Sequence, residues 1–169
     1  GVHLVVKKDL IVTIHALNDE GWAQMCQIVS KKNIQDIFDV DLLGGENIFV
    51  TIDAASSLID GFVNGQKSQI NKIIEKTPHN RFAISLSRSK DGDEGYAIAE
   101  RLTKMKIPII AAPKVSYAAG LKEVFDAVAD TDLLVSPVHP TLTEQEIEDL
   151  YQDLPGAVEN LKRFSETVS

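Results

Sequence analysis

The chain is poor in the features that staple, anchor or advertise a reaction. Its one cysteine, Cys26, excludes an internal disulfide and any metal site built on paired thiolates within one chain. Long apolar runs are missing too. The run Ile107–Ala112 is far shorter than the roughly 20 residues a membrane helix needs. No secretory leader pattern is present, so cytoplasmic residence is the expectation, although a leader preceding residue 1 would not be visible.

Positive charge is also scarce. The net charge is −8, with 17 Lys and Arg against 25 Asp and Glu. Residues 141–169 hold seven acids and two bases; residues 1–140 hold 18 and 15. Neither part has the basic excess that nucleic acid or an anionic membrane surface selects.

The familiar chemical motifs are missing as well. There is no G-x-G-x-x-G after a strand, no P-loop, no H-E-x-x-H and no G-x-S-x-G elbow. The histidines, His3, His15, His79 and His139, do not stand at metal-ligand spacing. Asp91-Gly92-Asp93-Glu94-Gly95 has part of a calcium loop but lacks its third oxygen ligand and distant glutamate. A turn feeding a helix explains it better. No metal is expected, and no cofactor is specified.

What remains is an ordinary globular composition. The chain has 169 residues, 44% hydrophobic and 25% charged, which fits a single domain. Val2–Val6 and Leu10–Ile14 flank a charged break and predict a hairpin. Asn18 or Asp19 caps a helix whose apolar face is Trp22, Met25, Cys26 and Val29, with Cys26 read as buried. Residues 34–43 fit strand or helix equally.

Strand and helix signals then alternate. Ile48–Ile52, Phe82–Leu86, Ile107–Ala111 and Leu133–Val135 read as strands. Helices are expected over Gln66–Lys76, after Asp93 and after Ser116. Such alternation implies parallel pairing. The expected fold is α/β: a mostly parallel, Rossmann-like sheet of about five strands in three layers, with an N-terminal hairpin. An α+β sandwich is the alternative. The acidic tail from residue 141 is helical and packs on the domain or extends from it. Thr143 and Glu146 form a capping box, Ile147, Leu150 and Tyr151 supply an apolar face, and Pro155-Gly156 breaks the helix before Val158, Leu161 and Phe164.

Ligands of parallel sheets bind beyond the strands' carboxyl ends. The junctions there carry Asp53, Ser56 and Ser57; Ser87, Arg88 and Lys90; Lys114 and Ser116; and Ser136 and His139. Gathered bases in an acidic protein point to an anionic ligand. Arg88 could hold phosphate or carboxylate bidentately, with Lys90 and Lys114 as point charges and the serines as further donors. His139 is the first candidate for proton transfer, oriented by Asp53, and His15 the second. Each residue also has a plain structural role to weigh. Serines before helices are usually caps, loop lysines are usually solvated, and histidines are often surface residues.

Two function classes follow. One is an enzyme or binding protein for a small anionic metabolite carrying phosphate, nucleotide or carboxylate. The other is a non-catalytic regulatory or assembly subunit, homo-oligomeric or bound to a protein partner, using tail faces such as those of Tyr151 and Phe164.

Overall fold

A computed structural model describes residues 1–7, 10–88, 96–113 and 142–168. Strands β1 (Val2–Lys7) and β2 (Leu10–Ala16) form the expected hairpin. Helix α1 (Asp19–Gln35) leads to β3 (Ile48–Asp53), then α2 (Ser57–Val63) and α3 (Gln69–Lys76) to β4 (Phe82–Leu86). Helix α4 (Tyr96–Lys104) precedes β5 (Ile109–Ala111). The tail forms α5 (Glu144–Leu150) and α6 (Pro155–Val168).

The five strands lie in the order β1-β2-β3-β4-β5. Only β3, β4 and β5 are parallel; β1, β2 and β3 are antiparallel neighbours. The fold is therefore a mixed α+β sheet with flanking helices, which corrects the expectation of a mostly parallel, Rossmann-like sheet. The reason lies in α1. A crossover helix would carry the chain to the opposite end of the sheet before the next strand. Here the excursion returns to where it left, and the Leu17 amide donates to the Asn47 carbonyl at 2.9 Å. Strand β3 therefore starts beside the end of β2 and must run against it, with Ala16 opposite Ile48.

The closure of that excursion depends on Gly21. Its amide donates to the Asn18 side chain that caps α1, and a Cβ built there would lie 1.9 Å from the Asn47 carbonyl oxygen. No side chain fits so close an approach.

Alternation along the strands separates two faces. One face carries Val12, Ile14, Val50, Ile52, Ile84 and Leu86, packed with Met25, Ile28, Ile59, Phe62, Ile70, Ile73, Ala99 and Leu102 from the helices. The other carries Phe49, Ala83 and Ile110, covered by Leu161 and Phe164 of α6. The tail thus belongs to the core, and Tyr151 is fully buried. Strand β3, buried along almost its whole length, is central, as its apolar run, broken only by Thr51, implies.

Helix α1 buries a different stripe from the one expected. Gly21, Met25 and Ile28 face inward, whereas Trp22 is 60% exposed and Cys26 is exposed. Apolar residues occupy both sides of this helix, so periodicity alone could not choose between them. The ambiguous stretch after it resolves as helix to Gln35 and a 3₁₀ turn over Val40–Leu43. The strand and helix expected over Leu133–Val135 and after Ser116 lie outside the described residues.

Candidate functional site

Because β1 and β3 run the same way, the carboxyl edge of the parallel strands is also the edge where β1 ends, at Lys7. That edge has two different halves.

Over β4 and β5 it is filled by the chain's own tail. The Tyr151 hydroxyl donates to the Leu86 carbonyl and accepts from the Ala112 amide, joining the ends of the two strands. Burial raises the phenol to about 12, so it stays protonated and can do both. Arg88, which is 1% exposed, lies across the Tyr151 ring at 5.1 Å. Its guanidinium donates to both carboxylate oxygens of Asp153 and to the Leu150 carbonyl. This is the bidentate geometry expected for a bound anion, but the anion is Asp153, whose carboxyl the guanidinium holds below its ordinary range. Ser87 donates to the Ala112 carbonyl at 3.1 Å, tying the same strand ends.

At the end of β3, Asp53 turns its carboxylate onto the Ala55 amide at 2.9 Å, fixing the turn into α2. Ser56 is buried, and its hydroxyl meets no partner among the described residues. Ser57 opens α2. Lys90, Lys114, Ser116, Ser136 and His139 lie outside the described residues, so the anticipated His139–Asp53 pairing does too. His15 is half-buried against Phe164, with ring centroids 4.8 Å apart. Burial, aided by the N-terminal amine and His3, lowers it to about 4. It is neutral at physiological pH and sits at the opposite edge of the sheet, beside Phe49.

Over β1 to β3, no residue of the described tail lines the carboxyl edge. A cleft of about 450 Å³ lies between the end of β1 and the α2–α3 hairpin, lined by Lys7, Ser57, Leu58, Asp60, Lys67 and Ser68 among others. The hairpin is held firmly. Gly65, at φ +82°, makes the tight reversal, and the Gly65 and Gln66 amides donate to the Phe62 and Gly61 carbonyls. Asn64 donates to the Asp60 carbonyl and accepts from Arg101 at 2.6 Å. Ser68 caps α3 through a reciprocal box with Asn71.

The charge arrangement distinguishes this cleft. Lys31, Lys32, Lys76, Lys104 and Lys162 each hold a carboxylate. Among the described residues, neither Lys7 nor Lys67 does, and both line the cleft. Lys72 and Lys106, likewise without a carboxylate, lie elsewhere. In a chain of net charge −8, two lysines against one carboxylate, Asp60, among the described lining residues leave this recess a local positive excess. Of the anticipated residues that are described, only Ser57 lines this cleft. In sequence Lys7 falls in the charged break between the two β runs and Lys67 inside the helix expected over Gln66–Lys76; the S-x-x-N box at Ser68, which starts that helix later, is the local signal missed by that expectation.

The described residues contain no group of histidine, cysteine and acidic side chains able to hold a metal ion. None of their helices is long and apolar enough to cross a membrane. The sequence matches no protein-family model, and no curated protein matches it significantly.

Proposed function

We propose that the chain binds a small anionic metabolite, through a phosphate or carboxylate group, in the cleft between Lys7 and Lys67. The observation that carries this is the pair of lysines from separate parts of the chain that hold no carboxylate among the described residues, at the half of the carboxyl edge that the described tail does not line. The capped start of α3 beside Ser68 adds the positive end of a helix dipole. Arg88 plays no part in holding the ligand, because Asp153 already occupies its guanidinium. The described lining residues include no histidine, so the assignment is to binding, and an enzymatic step is not part of it. The acidic net charge weighs against nucleic acid as the anion. Cytoplasmic residence accompanies this assignment, since an exposed unpaired Cys26 suits a reducing compartment.

Calorimetric titration with inorganic phosphate and with citrate tests it. Binding to the wild-type chain is expected, together with a rise in melting temperature that follows ligand occupancy. The variant Lys7→Ala with Lys67→Ala should lose both while keeping its fold. Equal binding by the variant, or none by wild type, refutes the assignment.

A regulatory or assembly role has one observation in its favour. Trp22, Ile34 and Ile37 on and after α1 are individually exposed, at 60%, 81% and 52%, and exposed large apolar side chains can mark contacts. The tail faces first considered for that role are used internally: Tyr151 is buried, and Phe164 packs on Phe49. A monodisperse monomer in light scattering at high concentration would count against self-assembly.

A further inference from the structure

We infer that the Lys7–Lys67 cleft takes a hydroxyl-rich anion of the sugar-phosphate class, a conclusion that rests on the anion-binding assignment and narrows it. The lining has an uneven chemistry. Beside the two lysines stands one carboxylate, Asp60, within the same recess. A site selecting only a bare anion gains nothing from a carboxylate, which repels the ligand. A site selecting an anion that also carries hydroxyls does gain, because an ionised carboxylate accepts strong hydrogen bonds from adjacent O–H groups. The remaining polar wall, with Ser57, Gln66 and Ser68, offers further groups of the kind that pair with hydroxyls.

The apolar side of the account is equally specific. Among the described lining residues, Leu58 is the only large apolar side chain and none is aromatic. A nucleobase bound at such a site would have no ring to stack on and little apolar surface to cover. The volume of about 450 Å³ would admit a nucleotide as readily as a pentose phosphate, so the selection rests on lining chemistry and not on size.

The scaffold supports a role for Asp60 at that place. Its main-chain carbonyl accepts from both the Asn64 backbone and the Asn64 side chain, and the far end of that amide is held by Arg101. The α2 backbone that carries the carboxylate is therefore pinned.

The test uses inorganic phosphate, ribose 5-phosphate and adenosine monophosphate as probes, titrated calorimetrically into the whole chain and into the variant Asp60→Asn. Wild type should bind ribose 5-phosphate about tenfold or more tightly than phosphate, the range that hydrogen bonds to a charged group supply. Adenosine monophosphate should bind no better than ribose 5-phosphate, because the base finds no partner. In Asp60→Asn the two simpler ligands should move in opposite directions: phosphate tightens as repulsion is relieved, and ribose 5-phosphate weakens as its hydroxyls lose the charged acceptor. If both tighten, or if the nucleotide binds best, the sugar-phosphate class is wrong while the anion site stands. If no probe binds wild type, the anion site and this inference both fall. Circular dichroism of the variant separates loss of fold from loss of the acceptor.

Discussion

Removing the carboxylate of Asp153 isolates what the tail contributes at the carboxyl edge. Arg88 is 1% exposed, and Asp153 supplies both acceptors of its fork, with the second contact at 3.0 Å. In Asp153→Ala the guanidinium keeps the Leu150 carbonyl and the Tyr151 ring but loses the Asp153 carboxylate. Breaking a fully buried ion pair from one side costs about 3–5 kcal/mol. The Asp153 side chain is 38% exposed, so water entering the vacated position recovers part of that. A destabilisation of about 2–3 kcal/mol is therefore expected, between the buried limit and the roughly 0–1 kcal/mol of surface pairs. For a chain of this size that lowers the melting temperature by about 4–12 °C. Urea unfolding followed by circular dichroism measures it, and a reduced midpoint with unchanged slope marks a pure stability loss. The pH dependence gives a second handle. Arg88 depresses the folded carboxyl, so its contribution is complete above the ordinary value of about 3.9 and is lost as pH falls through the lower folded value. The gap between wild type and variant should hold from neutrality to about pH 4 and narrow below it. A variant within error of wild type at pH 7 would refute the account of Arg88 as a buried, internally paired cation.

Three further outcomes follow from the same structure. Gly21→Ala sets a methyl group 1.9 Å from the Asn47 carbonyl, so the α1 excursion must shift. Overpacking of about 1–3 kcal/mol should outweigh the roughly 1 kcal/mol that alanine gains in a helix, and denaturant unfolding should show net destabilisation. His15, lowered to about 4, resists protonation when folded. Stability should therefore decline as pH drops from about 6.5 toward 4, and an NMR titration should place the imidazole midpoint near the lower value. Tyr151→Phe removes the hydroxyl that joins the two strand ends, but the Ala112 amide still donates to the Leu86 carbonyl at 3.0 Å, so the cost in thermal unfolding should be about 0.5–1.5 kcal/mol. In wild type, phenolate absorbance from this residue should not appear until about pH 12.

Local signals proved readable wherever one segment decides its own conformation. The apolar runs Ile48–Ile52 and Phe82–Leu86 are strands, and Asn18 and Thr143 cap the helices they precede. The hairpin of β1 and β2 followed from two β-rich runs around a charged break. Those features depend on residues within a few positions of one another, so composition and spacing determine them.

Direction and partnership were decided at longer range. Whether β3 runs with or against β2 depends on the Leu17–Asn47 closure, which no periodicity encodes. Arg88 reads as a ligand hand because of where it stands in the chain. Its actual anion, Asp153, is 65 residues away and reaches it only because the tail packs back on the sheet. Lys7 and Lys67 look like unrelated solvated residues until the antiparallel hairpin brings the end of β1 to the carboxyl edge. The sequence alone determined the elements, the acidic balance and the expectation of an anion at that edge. Only the tertiary structure decided which half of the edge the described tail fills and which cations hold no carboxylate among the described residues, because charge pairing depends on distance in space and not on separation along the chain.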